Sequence, residues 1–141
     1  MLRTMRGVDH LDLVVSDLER SLSFYRGLLE PLGYDRASEI VGEQGERVVY
    51  LHGRGVVAVS LRTATTLGGH DRYRIGLHHL AFQAPSRDAV DERLRWARDQ
   101  KVEIENDPKE YDYEPGYYAG FFSDPDGIKL EVVHVPTPGG G

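Results

Sequence analysis

The chain has 141 residues and is 40% hydrophobic, enough to bury roughly 70% of the surface of its unfolded form in a self-standing core. Its 17 Lys and Arg against 23 Asp and Glu give a formal charge of −6 without an extended basic run, so the positive footprint that nucleic acid or an anionic membrane surface requires is missing. With no cysteine, disulfides, thiolate ligands and cysteine nucleophiles are excluded, and any metal must be held by imidazole and oxygen.

Residues 8–15, VDHLDLVV, alternate His10, Asp12 and Val14 on one side with Leu11, Leu13 and Val15 on the other. This period of two predicts a strand with its apolar set toward a core and the histidine facing away. Ser16 reads as the N-cap of a helix, with Glu19 completing a capping box and Leu18, Leu22, Tyr25, Leu28, Leu29 and Leu32 forming the apolar stripe. Gly33 ends that helix, and Pro31 stops its regular turns slightly earlier by removing a backbone donor. Strands are predicted at 35–41, 47–52 and 56–62, with a glycine-bearing turn, HGRG, between the last two. Residues 63–76 are polar, lack periodicity and read as a linker.

The pattern then restarts. In residues 77–84, LHHLAFQA, His79, Ala81 and Gln83 alternate with Leu80 and Phe82; Ser86 caps a second helix that runs to about Gln100 with Val90, Leu94 and Ala97 inward. Strands at 102–105, 117–123 and 128–135 follow, the last two joined by the turn DPDG, and the tail PTPGGG at 136–141 is expected to be disordered. Two copies of one strand, helix, strand, strand, strand module result, at 7–62 and 77–135, within one domain.

His10 and His79 occupy equivalent places in the two copies, and when the closing strands are aligned so do Ser60 and Glu131. All four are predicted on the faces turned away from the core, which directs the search for function to a site that both modules share. Each residue alone reads as readily as an ordinary strand residue; their joint placement favours a metal. Two imidazoles and a carboxylate around a divalent ion leave positions open and a net charge of +1, suited to a bidentate oxygen substrate. Such a set accepts Fe, Mn, Ni, Co or Zn alike. His78, on the opposite parity, is the rival of His79 and the weaker candidate. Asp12 and Tyr50 are the candidate catalytic side chains, Asp12 as base or as hydrogen-bond support for a ligand. Ser60, Arg62 and Tyr118 are the candidate substrate contacts, while Tyr111, Tyr113 and Tyr117 read as packing, rim or dimer-contact residues.

Three stretches, DHLDLVVSDLERSLSFYRGLLEPLGY (9–34), HHLAFQAPSRDAVDERL (78–94) and YYAGFFSDPDGIKLEVVH (117–134), resemble the vicinal oxygen chelate superfamily. It includes glyoxalase I, type I extradiol dioxygenases, fosfomycin-resistance enzymes and bleomycin-resistance proteins, and the resemblance covers nearly the whole chain. It implies an α+β fold in which two βαβββ modules form a curved, mixed eight-stranded sheet around a cavity, with helices on the convex side. It also implies metal ligands at the positions of His10, Ser60, His79 and Glu131, one divalent ion, a small-molecule substrate and a homodimer. Ser60 departs from glyoxalase I, where a carboxylate or amide is usual. The chain is shorter than ordinary extradiol enzymes, and NDPKEYDYEPG (106–116) lacks the serine-rich loop of glutathione-type fosfomycin enzymes. The expected function is a metal-dependent lyase, isomerase or dioxygenase; a non-catalytic dimeric drug binder and a fosfomycin-resistance-like transferase or hydrolase are the alternatives. Without an apolar leader or membrane-spanning run in the sequence, no membrane partner and a cytoplasmic location are expected.

Overall fold

The computed structural model describes residues 7–136. In chain order they form β1 (His10–Val15), α1 (Leu18–Leu29), a 3-10 turn (Glu30–Leu32), β2 (Arg36–Val41), β3 (Arg47–His52), β4 (Ala58–Thr63), β5 (Leu80–Gln83), α2 (Arg87–Asp99), β6 (Ile104–Glu110), β7 (Tyr118–Ser123) and β8 (Lys129–His134). The chain divides between Gly68 and Gly69 into two compact units, a cut that falls inside the 63–76 segment. Each unit is a βαβββ module with a four-stranded mixed sheet, ordered β1-β4-β3-β2 in the first and β5-β8-β7-β6 in the second. In both, the opening strand pairs parallel with the closing one and the remaining pairs are antiparallel. The architecture is α+β, as the repeated pattern predicts. Among the described residues no helix is long and apolar enough to cross a membrane.

In the first unit Leu13, Val15, Val59, Leu61, Val49 and Leu51 are buried on one sheet face, as are Leu22, Tyr25, Leu28 and Leu29 on α1. The opposite face carries His10, Asp12, Tyr50, Ser60 and Arg62, because side chains alternate across a strand and the register sets Asp12 and Tyr50 directly beside Ser60. Pro31 does end the α-helix: the last turn becomes 3-10, and Gly33, at φ 105°, donates its N–H to the Glu30 carbonyl.

The helix cap differs from the expectation. Asp17, not Ser16, is the N-cap of α1, its carboxylate accepting from the Arg20 N–H at 3.1 Å, whereas the Ser16 hydroxyl accepts from the Arg20 guanidinium at 2.9 Å. Both residues suit the position, and the extent of β1 decides between them. Asp17→Ala is therefore expected to cost about 1 kcal/mol in denaturant unfolding and Ser16→Ala only a few tenths. Equal losses, or a larger one for Ser16→Ala, would return the cap to Ser16.

In the second unit Ser86 caps α2, accepting from the Ala89 N–H, and Val90, Leu94 and Ala97 are buried as predicted. Helix and sheet approach closely: a Cβ on Gly120 of β7 would lie 2.6 Å from Leu94 side-chain carbons, so a larger residue there would have to displace Leu94. DPDG is a turn in which the Asp124 carboxylate accepts from the Asp126 and Ile128 N–H groups, and Gly127 takes φ 84°.

Two strands depart most from the predicted bounds. β6 continues to Glu110 through Asn106, Asp107 and Pro108, with two register shifts against β7. It is an edge strand, where a proline and bulges are tolerated, so turn-type residues did not end it. β5 starts at Leu80, which places His79 just before the strand rather than within it. The linker is tied down in part: Arg72 forms a bidentate pair with Glu105 at 2.8 and 3.1 Å, and Asp71 accepts from the Tyr73 N–H. Of the predicted tail only Pro136 lies among the described residues.

Candidate functional site

The second unit gathers its polar chemistry around Glu131. Register places Glu131 of β8 between Ala81 of β5 and Phe121 of β7, on the face away from α2. Although only 2% exposed, this carboxylate has both oxygens engaged. Oε1 lies 3.1 Å from His79 Nε2, and Oε2 accepts a hydrogen bond from the Tyr117 hydroxyl. Burial, and then the carboxylate that accepts its proton, push the Tyr117 hydroxyl well above the usual phenol range, so it stays protonated and donates. The other ring nitrogen of His79, Nδ1, is 2.8 Å from His78 Nδ1.

An aromatic wall adjoins this group. The Phe121 ring meets His79 edge-on at 6.2 Å and Tyr111 at 5.6 Å, and Tyr113 stacks on Tyr111 at 5.2 Å while meeting Tyr117 at 5.1 Å. Ala119, Phe121 and Val133 form its buried apolar floor. Within it the Tyr111 hydroxyl is buried without a hydrogen-bond partner among the described residues.

The first unit holds a corresponding group with the acid on a different strand. Across its sheet the row equivalent to Ala81, Glu131 and Phe121 reads Asp12, Ser60 and Tyr50. Ser60 donates its hydroxyl proton to Asp12 Oδ1; Arg62 stands 3.4 Å from the same oxygen and 3.3 Å from Glu46. His10 Nδ1 is 2.9 Å from Asp9, which leaves Nε2 facing Asp12 Oδ2 at 3.6 Å, too long for a hydrogen bond. The Tyr50 ring meets His10 edge-on at 5.7 Å. Burial raises the Asp12 pKa, but hydrogen bonds from Ser60 and Tyr50 and the charges of His10 and Arg62 outweigh it and hold the carboxyl below its ordinary value. Tyr50 is raised, by burial first and then by the Asp12 charge.

The donor chemistry suits a divalent first-row ion. Ligand atoms about 2.1 Å from one metal and at right angles lie about 3 Å apart, close to the 3.1 Å between His79 Nε2 and Glu131 Oε1. Tyr117 on the other carboxylate oxygen and His78 or Asp9 on the far histidine nitrogens are the kind of outer partners that orient metal ligands. Among the described residues no group of three or more His, Cys, Asp or Glu side chains forms a ready cage. His79 and Glu131 come together within the second unit; His10 belongs to the first.

Two expected substrate contacts are placed otherwise. Ser60 is fully buried and its hydroxyl donates to Asp12, so in this unit it supports that carboxylate. Tyr118 points to the helix side, donating to Asp91 at 2.6 Å under the Arg87 guanidinium. The tyrosine on Glu131's face is its neighbour Tyr117, a residue that the sequence pattern groups with packing, rim or dimer-contact tyrosines. The alternation Tyr117, Ala119, Phe121 was the available signal, but the side it marks depends on which β7 residue pairs with Glu131. Arg62 and Tyr50 do share the face of His10 and Asp12.

The chain matches the sequence profile of the Glyoxalase/Bleomycin resistance protein/Dioxygenase superfamily over residues 7–132. It is 35% identical over 129 residues to the uncharacterized protein YqjT of Bacillus subtilis (strain 168), covering 88% of this chain and 95% of that one. Among solved structures it is similar to a glyoxylase/bleomycin resistance protein/dioxygenase domain from Frankia sp. EAN1pec, with a TM-score of 0.71 and 26% identity over 96% of both chains. It shares its fold with the fosfomycin resistance protein FosX of Listeria monocytogenes complexed with Mn(II) and sulfate, with a TM-score of 0.64 at 20% identity, covering 94% of this chain and 95% of that one. On the profile match and the 35% relative together, the chain belongs to the glyoxalase/bleomycin resistance protein/dioxygenase superfamily.

Proposed function

We propose that the protein is a divalent-metal-dependent enzyme that binds a small, oxygen-rich substrate, with His79 and Glu131 of the second unit as metal ligands. The observation that carries this reading is the buried Glu131 carboxylate presenting Oε1 at 3.1 Å from His79 Nε2. An ion held by the His79 imidazole and the Glu131 carboxylate would keep a net positive charge and supply Lewis-acid chemistry toward substrate oxygen. The chain's own groups divide the remaining work. Phe121 and Tyr111 supply an apolar wall that excludes water from the side of Glu131. Asp12, held by Ser60, Tyr50 and Arg62, keeps the first unit's polar group in place beside His10. This arrangement supports lyase or isomerase chemistry, in which protons move while the metal withdraws charge. A homodimer is part of the proposed reading.

Elemental analysis of protein purified without added metal tests the assignment: about one divalent ion per chain is expected, at a site of this ligand type. No copurified metal, together with no binding on titration of Mn(II) into chelator-treated protein, would overturn it. Once a substrate is found, activity that persists without oxygen supports the lyase or isomerase class, and activity that disappears replaces it with dioxygenation.

A further inference from the structure

We infer that Tyr117 is a positioning residue that makes Glu131 a one-oxygen metal ligand. The inference rests on the metal reading above and adds a group that the ligand set alone does not contain. A carboxylate has two oxygens, and a buried one free to rotate can offer both to a cation. Here Tyr117 donates to Oε2, so Oε1 alone is turned toward His79 Nε2. The tyrosine is itself well fixed. Its N–H donates to the Glu114 carbonyl at 3.1 Å, its carbonyl accepts from the Tyr111 N–H at 2.9 Å, and its ring packs edge-on against Tyr113 and Tyr111. Backbone and ring thus set where the hydroxyl lies, and the hydroxyl sets the carboxylate's rotation. A ligand held to one oxygen leaves one more position around the ion for substrate than a chelating carboxylate does. In the first unit the acid of the group, Asp12, lies on β1 and takes donors from Ser60 on the neighbouring strand and from Tyr50 on β3.

The test compares wild type, Tyr117→Phe and Tyr113→Phe as full-length, chelator-treated proteins. Co(II) and Mn(II) affinities are measured by calorimetric titration, with the visible spectrum of the Co(II) form reporting coordination. Tyr117→Phe keeps the ring and loses the donor, so its affinity is expected to fall about 10- to 100-fold. Its Co(II) bands should shift as the second carboxylate oxygen comes free. Tyr113→Phe, which alters the same aromatic cluster without touching Glu131, should match wild type in both. Affinity and spectrum of Tyr117→Phe equal to wild type would overturn the role of Tyr117 while leaving the metal site standing. A wild type that binds neither ion would overturn the metal reading itself. If Tyr117→Phe does not fold, Tyr117→His, which keeps a ring donor, is measured instead: the wild-type spectrum supports the role, and a loss as complete as that of Glu131→Gln overturns it.

Discussion

His79→Ala is expected to strip the purified protein of its divalent ion, lowering occupancy at least tenfold, whereas His78→Ala keeps about one ion per chain. The two histidines are adjacent and their rings are in contact at a centroid distance of 5.0 Å, so proximity to the site does not separate them. Direction does. His79 turns Nε2 to Glu131, while His78 reaches only the far nitrogen of His79 and packs against Tyr73. Removing His79 deletes a donor and leaves Glu131, a buried carboxylate with no Lys or Arg ion pair among the described residues, without its imidazole neighbour. Removing His78 deletes only an orienting contact, for which a weakening of about 10- to 100-fold in affinity is the expected scale, short of the loss that follows removal of a donor. Elemental analysis and metal titration of the two variants side by side measure the difference. Equal metal content in His79→Ala and wild type would sink the assignment of His79, and loss in His78→Ala alone would transfer the role to its neighbour.

Residues whose place follows from local pattern were legible in the sequence. The alternation in 8–15 put His10 and Asp12 on the face away from the core, and repetition of the pattern pointed to His79 as the counterpart of His10 and to Glu131 as that of Ser60. Pro31, Ser86 and DPDG act through their own backbone chemistry and behave as read. What depends on pairing between distant strands was not legible. Tyr117 and Tyr118 are consecutive tyrosines at the mouth of one hairpin, and only the pairing of Phe121 with Glu131 decides that Tyr117 faces the carboxylate and Tyr118 the helix. Ser60 was placed on the right face, yet its partner Asp12 is 48 residues away and its full burial follows from the pairing of β1 with β4. The symmetry between the copies is broken more specifically than a Ser60-for-Glu131 replacement conveys. Each unit holds a histidine, a carboxylate and a tyrosine, but the carboxylate sits on the opening strand in the first and on the closing strand in the second.

The same two-sidedness of β7 separates the consequences of truncating two neighbouring phenylalanines. Phe122 is fully buried on the helix side, opposite Leu130, in the layer where a Cβ on Gly120 would crowd the Leu94 side chain. That layer is too tightly filled to collapse around a missing ring, so Phe122→Ala is expected to cost about 3–5 kcal/mol in denaturant unfolding. Phe121 lies on the opposite face, with Lys129 Nζ 4.8 Å above its ring and the Tyr111 ring beside it. Long and partly exposed neighbours can move into the space it leaves, so Phe121→Ala is expected to cost about 1–2 kcal/mol less than Phe122→Ala. Its larger effect falls on the site, because the ring that meets His79 edge-on is gone and water reaches the Glu131 side. Both variants should retain the metal donors, but only Phe121→Ala should alter the Co(II) spectrum and weaken substrate binding. Equal stability losses, or an unchanged Co(II) spectrum in Phe121→Ala, would mean that both faces of β7 serve as core and that the wall beside Glu131 has no part in the chemistry.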